Sequence, residues 1–326
     1  MKIIPFFKLI FTTLFSAVCY QASAQSLKNY TYELGFKSDN DAYLATKQDR
    51  YYTNGLFIYF RKALQNSKKQ DTSTLVKKIW SLNIGQKMFT ARSGKTQFIE
   101  NVDRPITAYL YASTALQWHF KTETFIKAEL QLGTIGPSAL GKQTQEFIHT
   151  TLNFYKINGW QFQLNNAFGI NLKTNYQRLL YRSQNKKTDF ALPLTLNVGS
   201  TFTGASAGLL FRIGNINPFY QSIAAESTVT VSTLSYKVKA QEFYFYAKPI
   251  INLVVYDATI QGGMFKSHQN EVVYQPVSWV FRSEVGIGYS KNRISLHASV
   301  IFKTPEIKST ASSHKYGMVA MLFRFN

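Results

Sequence analysis

The chain reads as an all-β outer-membrane protein: a transmembrane antiparallel β-barrel of about twelve strands, with a short helix in one extracellular loop. Three observations predict this. Apolar and polar residues alternate with period two along most of the sequence. Beyond the N-terminus, the one charge-free run long enough to span a bilayer as a helix is 190–211; Pro193, Asn197, Gly199 and Gly204 divide it into two strands and a turn. The first 24 residues have the form of an export signal.

Composition removes the competing classes. Of 326 residues, 45% are hydrophobic, and 26 Phe, 20 Tyr and 4 Trp carry too much apolar surface for a disordered chain. With 18 Gly and one Cys, neither a collagen-like nor a disulfide-stapled scaffold fits. The balance of 37 Lys+Arg against 17 Asp+Glu gives a net charge of +20, which suits an anionic, phosphate-bearing membrane surface. Nucleic acid is not expected as a partner of an exported membrane chain.

In the signal segment, Lys2 and Lys8 supply the positive start, Leu9 to Val18 the apolar stretch, and Ala22-Ser23-Ala24 a small-residue cleavage site. Cys19 lacks the small preceding residue a lipoprotein would have, since Val18 stands there. Removing 24 of the 326 residues leaves 302 without cysteine, and the loss of two lysines brings the charge to +18. Residues 25–326 are then expected to form a single barrel domain in the outer membrane of a Gram-negative cell, as a monomer. A closed ladder braces such a chain without disulfides.

The strands follow in order. Tyr30, Tyr32, Leu34 and Phe36 share one face, opposite Thr31, Glu33, Gly35 and Lys37; Ile126, Ala128, Leu130 and Leu132 oppose Lys127, Glu129, Gln131 and Gly133. Strands are expected near 28–38, 52–63, 77–89, 104–119, 122–135, 160–182, 188–200, 204–213, 241–256, 274–289, 293–303 and 315–325. The even count returns both termini to one side. Aromatics near segment ends (Tyr51, Tyr52; Trp118, Phe120; Phe243 to Tyr246) read as interfacial belts. The long junction 214–240 falls on the periplasmic side and fits no pattern. Between the fifth and sixth strands, Gly136 and Pro137 stop the ladder. From Ser138 the period turns helical, which puts Gln145 and His149 on one face.

The first three outside loops gather Asn40, Asp41, Asp49, Arg50, Thr53, Arg92, Lys95, Asp103, Arg104, Gln145 and His149. Each has a plain alternative. Ser38-Asp39-Asn40-Asp41 suits a polar turn as well as Ca²⁺ ligation, Thr53 suits the start of a strand, and His149 suits a solvated loop helix. His119, His268, His297 and His314 have no such company and read as rim or lumen residues.

Four ordered blocks carry a family resemblance. They are Asn40-Asp41 with Asp49-Arg50-Tyr51-Tyr52-Thr53-Asn54-Gly55; Asp103-Arg104-Pro105 with Ala108 to Ser113; Gly136-Pro137 through Gln145 and His149; and Gly159-Trp160 with Gln163-Leu164. Together they resemble the lipid A 3′-O-deacylase family of outer-membrane barrels. The resemblance implies hydrolysis of the ester that holds the 3′ acyloxyacyl group on lipid A, with Ca²⁺ as cofactor and lipopolysaccharide as substrate, at a site facing the extracellular side. It implies His149 as general base on water. Asn40, Asp41 and Thr53 would line the same catalytic site, Asn40 and Asp41 as metal ligands and Gln145 in support, an arrangement similar to a secreted phospholipase A2. Arg92 and Lys95 are candidates by position for the substrate phosphates. Where relatives carry an acidic residue after the tryptophan, this chain has Asn165 and Asn166, so a neutral amide would replace a metal-binding carboxylate there, with Asp39 as a compensating acid. Two other readings stay open: a phospholipase-type esterase using Thr53 as nucleophile, and a non-enzymatic pore or binding barrel with Lys127 and Glu129 lining the lumen.

Overall fold

A computed structural model describes residues 29–44, 50–65, 74–231 and 238–326. The signal segment 1–24 and Asp49 lie outside them. The wall has twelve strands: β1 Tyr32–Asn40, β2 Tyr51–Leu64, β3 Leu75–Thr90, β4 Thr107–Phe120, β5 Thr124–Ile135, β6 Ala167–Arg182, β7 Thr188–Gly199, β8 in two pieces (Phe202–Gly208 and Leu210–Asn215), β9 Gln241–Asp257, β10 Trp279–Lys291, β11 Ile294–Lys303 and β12 His314–Phe325. Both pieces of β8 pair with β7 and with β9. The cylinder closes where β1 runs antiparallel to β12, from Tyr32↔Phe325 to Asn40↔Gly317. No wall edge is left for lipid to desolvate, which is what a bilayer demands of backbone N–H and C=O groups. Each expected strand is present. The main shift is in the sixth, which begins at Ala167, because 160–162 forms a short 3-10 turn instead.

Alternation sorts the side chains as a lipid-facing barrel requires. Leu34, Phe36, Ile58, Ile84, Leu130, Leu132, Val285 and Val300 stand exposed on the outside, while Glu33, Arg61, Gln117, Lys127 and Glu129 are buried within. Charges so enclosed must be paired, and they are: Arg61 lies 2.6 Å from Glu33, and Arg212 lies 2.7 Å from Asp189. The same alternation corrects the expected aromatic belts. Trp118 and Phe120 stay toward the outside and Phe245 is exposed there, but Tyr51, Tyr52, Tyr244 and Tyr246 are buried inside. Tyr52 and Tyr246 donate to the lumenal Asp39 and Glu284, at 2.7 and 2.6 Å.

The unassigned junction folds up into the barrel as a plug. Ile216, Phe219, Tyr220, Ile223, Ala225 and Val229 are buried, and polar anchors tie the segment to the wall. Lys77 donates to the carbonyls of Ser227 and Val229 and to Gln221, Glu226 pairs with Arg61 and Lys127, and Thr228 bonds Glu33. Lys127 and Glu129 do face the lumen, 3.7 Å apart; Lys127 pairs with Glu226 of the plug, and Glu129 accepts from Ser113 and Gln131 of the wall.

The expected loop helix is α1, Gly141–Thr151, reached through a 3-10 turn at Pro137–Ala139. Leu140, at φ 57°, makes the left-handed kink between the two. Gly141, Gln145 and His149, spaced by four, form the buried face of the helix.

A candidate active site on the outer wall

The pairing register draws one outward row across seven strands. Ala108 pairs with Met88, Met88 with Asn54 and Asn54 with Asn40; Asn40 pairs with Gly317, Gly317 with Val300 and Val300 with Val285. Directly opposed residues in an antiparallel sheet point the same way. Asn40, with Asn54, therefore occupies the middle of a lipid-facing row just below the extracellular rim.

Helix α1 covers the β4 end of that row. A side chain at Gly141 would bring its Cβ to 2.5 Å from both Ala108 Cβ and the Trp160 ring, so glycine lets the helix lie directly on the wall. Gln86 clamps the helix entrance, its amide donating to the Ala139 carbonyl at 2.6 Å. Beneath sit Met88, Ala108, Ala139, Ile157 and Trp160, with Ile148 packed against them. The Trp160 indole N–H donates to Gln145 Oε1 at 2.8 Å, which ties the helix to the tryptophan beneath it. His149 Nδ1 lies 2.9 Å from the Tyr155 carbonyl. A carbonyl only accepts, so Nδ1 carries a proton, and in the neutral ring Nε2 is the basic nitrogen. Phe154 and Tyr155 meet the imidazole edge-on at 5.3 and 5.0 Å and restrain its plane.

The first loop builds the other half. Asn40 ends β1, and its Oδ1 accepts from the Ala42 N–H at 2.7 Å, starting the single helical turn Asp41–Leu44. Asp41 is buried and accepts from the Arg50 N–H at 3.1 Å. Thr53 is the extra residue of a β-bulge between Tyr52 and Asn54. Tyr51 just before it adopts φ 62°, a strained conformation for a bulky residue. Its hydroxyl, bonded to Asp103 at 3.0 Å and to the Ser312 N–H at 3.0 Å, fastens the first loop to the second and last. Two buried oxygens at this bulge, Thr53 Oγ1 and Asn54 Oδ1, have no hydrogen-bond partner among the described residues. Tyr43 swings down over the wall and donates to Ser38 Oγ at 2.8 Å. Burial raises its phenol pKa, the Ser38 bond opposes that, and the Asp39 carboxylate adds to it, so the group stays neutral.

A buried carboxylate beside orphaned hydroxyl and amide oxygens is the donor chemistry of a hard cation. Only one carboxylate belongs to it, and no group of three or more His, Cys, Asp or Glu converges among the described residues. The compensating acid Asp39 and the two substituting asparagines lie elsewhere. Asp39, one position from Asn40, faces the lumen, bonded by Tyr52 and 3.5 Å from Lys37. Asn165 and Asn166 are exposed and brace the base of the third loop, where Asn166 Oδ1 accepts from the Ser138 N–H at 2.7 Å.

Arg92 and Lys95 are exposed and line a cleft of about 760 Å³ together with Asp103, Tyr274 and Ser309. Lys95 is joined to the helix side: its ammonium lies 5.0 Å over the Tyr155 ring, whose residue also holds His149. Arg92 is fixed instead through its backbone N–H to Asp103 at 2.7 Å. His119 is buried in the lumen, His268 pairs with Glu271 at 2.8 Å, and His314 stacks on Tyr316 at 5.7 Å. None of them approaches the row. Tyr155, Asn54 and Tyr43 were missed by sequence reasoning. Tyr155 acts through its backbone, which no side-chain pattern reveals, while Asn54 stood inside a matched block without an assigned role.

The profile of the outer membrane protein LpxR family matches residues 9–325. This chain belongs to that family. Among solved structures it is similar to LpxR from Salmonella typhimurium, with TM-score 0.72 and 17% identity over 90% of this chain and 100% of that one. A far weaker likeness, TM-score 0.46 at 10% identity over 91% of this chain and 100% of the other, is to the β domain of the Bordetella autotransporter BrkA. None of the curated proteins matches. As an LpxR-family barrel, the protein is an outer-membrane protein, and the family resemblance read from the four sequence blocks is correct.

Proposed function

We propose that this LpxR-family barrel is a lipid A 3′-O-deacylase, hydrolysing the ester of the 3′-linked acyloxyacyl group, with His149 as general base. The observation that carries the reading is the position of the buried His149 and Gln145 face. It lies against the lipid-facing wall, on a helix whose seat adjoins the row containing Asn54 and Asn40. A substrate reaching such a site comes from the membrane, its acyl chains in lipid and its ester at headgroup depth.

In the proposed reaction the unprotonated Nε2 takes a proton from water as the oxygen attacks the acyl carbonyl carbon. The tetrahedral centre then collapses, the carbon–oxygen bond to the sugar breaks, and the imidazolium returns its proton to the departing alkoxide. Tyr155 accepts from Nδ1–H, so in the neutral ring Nε2 is the nitrogen that acts as base in this reading. A bound Ca²⁺, held by Asp41 and Asn40 with the Thr53 and Asn54 oxygens nearby, would stabilise the developing oxyanion. With one carboxylate in that set among the described residues, affinity is expected to be modest. Gln145 positions the helix through Trp160. Lys95 and Arg92 line the cleft proposed to take the phosphates.

Mass spectrometry of lipid A from a host expressing the wild type or His149→Ala, with and without calcium, tests this. Loss of the acyloxyacyl mass only with wild type and calcium is expected. An unchanged lipid A profile with wild type would remove the assignment.

A further inference from the structure

At the opposite end of the seven-strand row from α1 lies a groove that the deacylase reading does not use. Its floor is the outward face of β10, β11 and β12, formed by Val285, Ile287, Ala298, Val300 and Val319, and Tyr43 and Leu44 overhang it from the first loop. It measures about 270 Å³, room for about nine groups the size of a water molecule at roughly 30 Å³ each, the bulk of a run of methylenes.

Three facts tie the groove to the site. Gly317, on its rim, is the direct register partner of Asn40. Tyr43 and Leu44 follow Asp41 within one helical turn. A side chain at Gly317 would place its Cβ 2.8 Å from Tyr43 Cβ, so glycine is what allows the turn to close down over the wall. With strands about 4.8 Å apart, Val300 is about 10 Å from Asn40 along the row. The groove faces the hydrocarbon region, where Val285 and Val300 are 57% and 45% exposed, and apart from the Tyr43 phenol its outward side chains are apolar.

We propose that this groove is an acyl-chain subsite: it takes one fatty acyl chain of the lipid whose ester lies at Asn40 and Asp41. The proposal rests on the deacylase reading and adds which part of the wall measures the chain. Lipid tails are as apolar as the groove, so little transfer energy is gained by moving a chain from one to the other. The gain is positional. A chain confined beside Asn40 presents its ester in one orientation, and misplacement by about 1 Å can cost about 100-fold in rate.

Two measurements separate the subsite from the reaction. First, the full-length His149→Ala barrel is reconstituted with lipid A carrying a photoreactive diazirine in its 3′-linked acyl chain, and the crosslinked peptides are mapped. Label concentrated on residues 285–287 and 298–300 is expected; label spread evenly round the wall overturns the proposal. This arm needs no turnover, so it stands even if the deacylase reading fails. Second, Ala298→Phe fills the groove from a lipid-facing position two strands from Asn40, and Val198→Phe is its control on β7. Ala298→Phe should lower kcat/KM about tenfold for a long-chain ester and leave an acetyl ester of the same sugar unchanged, while Val198→Phe changes neither. Equal rates for Ala298→Phe and wild type on the long-chain ester overturn the proposal, even if crosslinks fall in the groove. Equal losses on both esters do the same, because a wall defect and not a chain subsite would be at work. A wild type that cleaves neither ester removes the deacylase reading and leaves the groove to the crosslinking arm.

Discussion

Seating of helix α1 can be broken without touching the proposed chemistry, through Gly141→Leu. The helix rests on Ala108 and Trp160 with no room for a Cβ, since one would stand 2.5 Å from each. A leucine there drives the helix outward, overpacking that costs about 1–3 kcal/mol. The same shift strains the 2.8 Å Trp160–Gln145 bond, a further ~1 kcal/mol if lost. As the seated and lifted helix exchange, a penalty of about 1–3 kcal/mol lowers their ratio about 5- to 150-fold, and the fall in turnover reaches at most that factor. The wall has no share in this, because residue 141 lies in the loop between β5 and β6. The variant should therefore run as a folded, heat-modifiable barrel on a gel while lipid A deacylation, read by mass spectrometry, falls within that range. Ala108→Gly in the same chain removes one of the two clashes and should restore part of the activity. Wild-type turnover by Gly141→Leu would refute the claim that His149 works only from a helix pressed on the wall, and an unfolded barrel would refute the claim that the wall is independent of the helix seat.

Four other outcomes are expected. His149→Ala should lower turnover about 10²- to 10⁴-fold with the barrel intact. In the wild type, rate should fall on acidification, because the base acts only when unprotonated; a rate that does not change on acidification argues against histidine catalysis. Calcium chelation should stop turnover, and Asp41→Asn, removing the one carboxylate of the donor set, should raise the calcium needed for half activity at least about tenfold; activity indifferent to chelator counts against the cation. Wild type in a planar bilayer should not conduct, since the segment 216–231 fills the lumen. Lys77→Ala, which leaves the Ser227 and Val229 carbonyls and Gln221 without their donor at about 1–3 kcal/mol for each buried group left unsatisfied, should give intermittent openings. Steady conductance by wild type would contradict the plug.

Much of this was legible from residue order, and where it failed the reason is physical. Alternation is a local property with a period of two, so Leu34, Phe36, Leu130 and Leu132 could be placed on one face and Glu33, Lys127 and Glu129 on the other without knowing any partner strand. The switch to a period near 3.6 after Pro137 is equally local, and it put Gln145 and His149 together on the buried face of α1. The aromatic belts failed because consecutive aromatics cannot all face lipid. The plug 216–231 was invisible because its order comes from distant partners such as Lys77, Glu33 and Arg61, with no period of its own.

Residue order by itself determined the class of wall and its strand count, and it named the candidate side chains of the proposed site. Only the folded cylinder decided which of them meet. Register and closure are non-local, and a slip of one residue exchanges lumen for lipid face. That is why Asp39 turns inward while Asn40 lies in the outward row. It is also why residues as far apart in sequence as Val285, Asn40 and Ala108 share one line across the outer wall.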